Sequence, residues 1–181
     1  MEHILLCGRR RSGRSAMIRK LLENVTAPVF GYETLTLRTR SDGYHEIYLF
    51  PYGTENPQPC EARHAADCNT RQRVVHPEVF NSLGTRLLQG QKRGVLVMDE
   101  IGFLESDAAE FCSAVLRRLD GDLPVLAAVR TGMDTAFLRE VCAHKKARCI
   151  QMNPVRFDEI HRELLPLVRS WNLSLRESAA L

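Results

Sequence analysis

Apolar residues near the start of the chain follow two different rhythms. Ile4, Leu5, Leu6 and Cys7 are consecutive, the pattern of a strand buried on both faces, whereas Met17, Ile18, Leu21 and Leu22 recur at helical spacing. Pro28 to Tyr32 opens an extended region. Beyond it, Thr34 to Arg40 and Tyr44 to Phe50 flank Ser41-Asp42-Gly43, and Leu35, Leu37 and Thr39 alternate with Thr36, Arg38 and Arg40. Asp-Gly supplies the positive φ a tight turn needs, so this segment is expected to be a β-hairpin. Pro51 to Arg73, rich in Gly, Pro, Asn and Cys, reads as an irregular excursion. Pro77 then opens a helix at its favoured first turn, with Val79, Leu83, Leu87 and Leu88 on one face and Gly90 near its end.

The second half alternates more regularly. Val95 to Met98 form a continuous apolar strand, and a helix is expected from Ser106 with Phe111, Val115, Leu116 and Leu119 facing inward and Gly121 as its stop. Val125 to Val129, Thr135 to Cys142, Cys149 to Met152 and Phe157 to Val168 then read as strand, helix, strand and helix. Strands alternating with helices specify a mainly parallel sheet flanked on both faces, with ligands outside the carboxyl ends of the strands. The expected fold is thus a single α/β domain over residues 1–181 with a β-hairpin insertion. Asn172 to Leu181 is expected to fray, with Trp171 pinning its start.

Between the first strand and first helix lies Gly8-Arg9-Arg10-Arg11-Ser12-Gly13-Arg14-Ser15, followed by Ala16. A P-loop has the pattern G-x-x-x-x-G-K-[ST], in which backbone amides wrap phosphates, Lys reaches the β and γ phosphates, and a hydroxyl meets Mg²⁺. Here Arg14 stands in the Lys position. The strand-to-helix context is the one a P-loop requires, because free amides and the positive helix end attract anions there. A second signal is the apolar strand that ends in Asp99-Glu100. Such a pair after a P-loop suits an Asp that orients Mg²⁺ and a Glu that polarises the attacking water.

Composition narrows the classes. The chain has 181 residues, 44% hydrophobic and 26% charged, enough for one full core. Clustered Arg9, Arg10, Arg11 and Arg14 would also suit a phosphodiester backbone, but a net charge of +3 and 7% aromatic residues argue against a nucleic-acid partner. Apolar runs are too short for a membrane span, and the N-terminus enters a strand without a signal-peptide layout, so a cytoplasmic location is expected. Six cysteines, Cys7, Cys60, Cys68, Cys112, Cys142 and Cys149, show no framework spacing and are expected as free thiols. Cys60, His64 and Cys68, spaced four apart, would share a helical face, with His76 as a further donor, but the spacing matches no common zinc pattern.

The order of elements resembles the THEP-type nucleoside triphosphatases. The resemblance rests on the P-loop, on Gly31-Tyr32-Glu33-Thr34 entering the hairpin, on Val75-His76-Pro77-Glu78-Val79-Phe80 opening a helix, and above all on Asp99-Glu100-Ile101-Gly102-Phe103-Leu104-Glu105. It implies a RecA-like sheet and slow hydrolysis of ATP, GTP and other nucleoside triphosphates with broad base tolerance. The chain departs from the family's pattern at Arg14 for Lys, at Arg11 for a loop glycine, at Arg130 where His is usual, and at Arg156-Phe157-Asp158 for Asn-Arg-Asp. Guanidinium is longer and planar, so Arg14 cannot simply take the lysine's place between phosphate oxygens.

The reading is therefore a P-loop nucleotide-binding protein that hydrolyses nucleoside triphosphates slowly with Mg²⁺. Gly8 to Ala16 cradle the phosphates, Arg14 supplies charge, Ser15 and Asp99 hold the metal, Glu100 activates water, and Arg130 senses phosphate. A nucleotide sensor that has lost hydrolysis is the main rival, motivated by Arg14. A small-molecule kinase, with Pro51 to Arg73 as its lid, is a third reading. The sequence names no protein partner.

Overall fold

The fold comes from a computed structural model that describes residues 1–89 and 93–177, with side chains to residue 172. Eight strands form one sheet: β1 (His3–Gly8), β2 (Val29–Thr39), β3 (His45–Pro51), β4 (His64–Cys68), β5 (Arg73–Val75), β6 (Val95–Ile101), β7 (Val125–Arg130) and β8 (Ala147–Gln151). Their order is β5-β4-β3-β2-β6-β7-β1-β8. The stretch from β2 through β6, β7 and β1 to β8 is parallel, and β3, β4 and β5 extend it antiparallel. This is the single α/β domain of P-loop type expected from the alternation of elements.

Helices cover both faces. On one side α1 (Arg14–Leu22) and α6 (Phe157–Glu177) pack on Ile4, Leu6, Val95, Val97, Leu126 and Ala128. On the other lie α4 (Ala109–Asp120), α5 (Ala136–Cys142) and the helix made of α2 (Pro77–Val79), a π turn (Phe80–Gly84) and α3 (Thr85–Gln89). Consecutive strand residues feed opposite cores, which explains why the parallel strands are apolar throughout rather than alternating. Each such buried Leu, Ile or Val contributes about 1.5–3 kcal/mol relative to exposure. His3 is also fully buried. It satisfies both ring nitrogens with Leu119 O at 2.8 Å and the Val125 N–H at 3.2 Å, fastening β1 to the start of β7.

Four expectations need correction. Pro51 to Arg73 is irregular only over residues 52–60 and the 69–72 turn: His64–Cys68 pairs with β3 as β4, and β5 begins at Arg73. The helix expected from Ser106 begins at Ala109, after a 3₁₀ turn over Leu104–Asp107. The last helix does not stop at Val168 but runs to Glu177 despite Pro166. Asn172 is held rather than frayed, since its side chain accepts from Thr26 N–H at 3.0 Å and donates to Asn24 O at 2.8 Å. Trp171 is fully buried, with its indole N–H on Glu2 O, and so pins that helix as expected. Gly90 and residues 178–181 lie outside the described residues.

Candidate functional site

The carboxyl ends of β1, β6 and β7 meet at one edge of the sheet, with Gly8 paired to Arg130 and Asp99 to Ala128. The loop from Gly8 turns there into α1. Gly8 has no room for a side chain, because a Cβ would lie 2.3 Å from Ser12 Oγ. Gly13, the N-cap of α1, has φ 88°, a left-handed value suited to glycine. Arg11 takes a left-handed φ of 63° as well, so the loop glycine that the resemblance leads one to expect there has been replaced at a conformational cost.

The amides opening α1 have no intrahelical partners, and Gly13 offers no side chain to cap them. Two loop atoms, Ser12 Oγ and Arg14 Nη1, are buried without a hydrogen-bond partner. An anion seated on the helix terminus is the kind of ligand that satisfies such donors. Just beyond, Ser15 Oγ donates to Asp99 Oδ1 at 2.9 Å. Burial pushes the Asp99 carboxyl up to about 6, against the lowering effect of the Ser15 hydrogen bond and with the Glu100 charge adding to the rise. A partly desolvated carboxylate beside a hydroxyl is a hard oxygen donor set that fits Mg²⁺.

Arg14 is placed unexpectedly. Its side chain is buried and its Nη2 lies 2.8 Å from Glu100 Oε2, while Arg130 Nη1 lies 3.2 Å from Glu100 Oε1. The carboxylate expected to activate water is thus held between two guanidinium groups. The β6–β7 register shifts between Asp99 and Ile101, which frees Glu100 from the regular pairing. Thr34, on β2, holds the same corner: its hydroxyl accepts from the Glu100 N–H at 3.3 Å and lies 3.4 Å from Asp99 O.

Beside this group opens a cleft of about 810 Å³. Arg9, Arg10, Ser15, Asp99, Glu100 and Arg130 line it, and residues 68–73 with 102–105 and 131–133 build the facing walls. Arg71 and Arg73 add positive charge from the β4–β5 side, so the end of the Pro51 to Arg73 segment forms a wall of the cleft. Of the loop only Arg9, Arg10 and Ser15 line it; Gly8, Ser12, Gly13 and Arg14 do not, nor do the exposed Arg11 and Ala16.

Glu105 escaped the sequence reading as a site residue, although it closes the acidic run. It is buried, accepts from the Gly102 N–H at 2.8 Å, and also lines the cleft. Burial pushes its carboxyl up to about 8, with the nearby Glu100 charge adding to the rise. Thr34 was missed for the same reason, as a residue inside a quoted motif whose side chain had no assigned task. The helical face proposed for Cys60, His64 and Cys68 does not form, because 64–68 is a strand and Cys60 is exposed. His64 instead comes together with Asp67 and His76, their donor atoms lying within 4.8 Å of one another.

A glycine loop between a central parallel strand and a helix, facing an acidic strand end across one intervening strand, defines a P-loop nucleotide-binding domain. The model of a family described as NTPase matches residues 3–165, and the chain belongs to this family, the THEP-type nucleoside triphosphatases. THEP1 from the hyperthermophile Aquifex aeolicus shares the fold with a TM-score of 0.70 at 18% identity, over 93% of this chain and 99% of that one. The solution structure of a human cancer-related nucleoside triphosphatase gives a TM-score of 0.68 at 21% identity, over 94% and 98%. No curated protein sequence matches significantly. Among the described residues no helix is long and apolar enough to cross a membrane.

Proposed function

We propose that this protein binds nucleoside triphosphates such as ATP or GTP with Mg²⁺ and hydrolyses them slowly to the diphosphate and phosphate. The observation that carries the reading is the Ser15–Asp99 hydrogen bond beside two buried, unpartnered loop atoms, a hydroxyl–carboxylate pair next to an anion cradle. The amides of Gly8 to Ala16 and Ser12 Oγ bind the phosphates, and Arg9 and Arg10 neutralise their charge from the cleft wall. Ser15 and Asp99 would hold Mg²⁺, which when bound supplies positive charge to the phosphate oxygens. Glu100 orients and deprotonates the attacking water, and Arg130 is placed to follow the phosphate charge as it moves.

Slow turnover follows from the ion pairs. Two guanidinium groups engage the Glu100 oxygens, so drawing Arg14 or Arg130 toward the phosphates opens the carboxylate to the attacking water. The same observation favours one other reading, a nucleotide sensor in which the clamp on Glu100 abolishes hydrolysis. Purified protein with Mg²⁺ and a panel of nucleoside triphosphates separates the two when binding and phosphate release are measured together. Glu100→Gln should keep affinity and lower release by roughly 100-fold or more, the usual size of a lost acid–base group. Binding without release in the parent protein supports the sensor. Absence of binding to every triphosphate refutes both.

A further inference from the structure

Three cysteines, one near the start of the chain and two from its last quarter, meet behind the P-loop. Cys7 is the residue of β1 just before Gly8, Cys142 is the last residue of α5, and Cys149 lies on β8. Leu5 and Cys7 both face the core beneath α5, and Cys149 pairs with Leu5, so the pleat directs the Cys7 and Cys149 thiols to the side of the sheet that α5 covers, where Cys142 ends the helix. Their sulfur atoms lie within 4.8 Å of one another. None forms a disulfide.

We propose that Cys7, Cys142 and Cys149 form a thiolate site for a soft metal ion, represented by Zn²⁺. At a zinc–sulfur distance of about 2.3 Å, three thiolates around one ion stand roughly 4 Å apart, so closing the triangle requires small side-chain shifts and no movement of the sheet. Thiolate-only donors select soft ions over Mg²⁺, which keeps this site chemically separate from the Ser15–Asp99 pair. In the ion-free protein the Cys149 thiol donates to Cys142 O at 3.3 Å and the Cys7 thiol to Leu5 O at 3.6 Å. The thiols give their protons to solvent as the ion binds.

Access fits too. Cys7 is buried and forms the floor, while Cys149 is exposed and leaves an entry path and a fourth position for water. His144, the nearest imidazole in sequence, is engaged with Asp120 at 3.2 Å. An ion at Cys7 would hold the start of the phosphate loop in place, because the next residue is Gly8.

The test uses the full chain, reduced and stripped of metal. Zn²⁺ is titrated against a chromophoric chelator, and Co²⁺ is added separately to read sulfur-to-metal charge transfer in the near ultraviolet. One ion per chain, a strong charge-transfer band, and a higher melting temperature with Zn²⁺ are expected. Cys142→Ser and Cys149→Ser, both outside the deepest core, should each weaken Zn²⁺ by at least about 10- to 100-fold, no less than the loss of an outer partner of a metal ligand. His64→Ala should leave affinity unchanged. No binding at micromolar Zn²⁺, parental affinity in either cysteine variant, or loss of the ion in His64→Ala would each overturn the site.

Discussion

Replacing Arg14 by Lys removes the planar fork that now engages Glu100. In the protein as folded, Arg14 is 7% exposed and Glu100 24%, and their closest atoms are 2.8 Å apart. A hydrogen bond between charged groups in such a setting contributes about 1.5–3 kcal/mol net. Drawing Arg14 off the carboxylate before hydrolysis therefore lowers the population of the active arrangement roughly 10- to 200-fold, at 1.36 kcal/mol per tenfold. A lysine has a compact charge on a flexible stem and no second nitrogen to share, so it favours the phosphates and leaves Glu100 held by Arg130 alone. Arg14→Lys should raise single-turnover phosphate release about tenfold or more, with affinity changing much less. Enzyme in excess over radiolabelled triphosphate, quenched over time, measures the first; equilibrium titration measures the second. A lysine variant that is no faster, or that no longer binds, refutes the argument and means the loop is built around arginine.

Two other perturbations test the surroundings of the site. Glu105 has been moved from an ordinary 4.5 to about 8, so the folded state holds its proton more tightly than the unfolded chain; this stability is complete below about 4.5 and is lost as pH rises through about 8, up to roughly 5 kcal/mol. Glu105→Gln should flatten that decline in denaturant titrations between pH 5 and pH 9, and an unchanged slope refutes the burial argument. Arg11 sits at a φ of 63°, which costs an L residue about 1–2 kcal/mol, so Arg11→Gly should raise the melting temperature by about 2–4 °C after the entropy of glycine is offset; a lower melting temperature would show that the arginine side chain stabilises the loop.

Most of what positions the site was legible in the sequence because it is written in consecutive residues. Ile4 to Cys7 and Val95 to Met98 are apolar at every position since both strands are buried on both faces, and the glycines of the loop mark its turn directly. Ser41-Asp42-Gly43 likewise announces the hairpin, with Gly43 at a φ of 83°. The strands β4 and β5 were not legible. They are short and lie at the sheet edge, β4 buries only Ala65 and Ala66, and pairing with β3 rather than any alternation of their own defines them. The last helix reads too short in the sequence because Trp171, which continues the buried face of Ile160, Leu164 and Val168, looks there like a pin beyond its end. Arg14 and Glu100 are separated by nearly half the chain, and Cys7 from Cys142 and Cys149 by most of it, so no spacing rule connects them. Only the order of strands brings them together.

Titration of a non-hydrolysable triphosphate analogue with Mg²⁺ into the parent protein and Gly13→Val, followed by calorimetry, tests the central claim most directly. Gly13 begins α1 at a φ of 88°, where valine both strains the backbone and obstructs the approach of phosphate to the amides. A Cβ at Gly13 meets only the Phe157 ring at an ordinary 3.6 Å, so the variant should still fold, as its melting curve will show. The account predicts binding by the parent and at least about tenfold weaker binding by a folded Gly13→Val, the equivalent of 1.4 kcal/mol. Equal affinity in the two proteins would contradict it and place the nucleotide somewhere other than this loop.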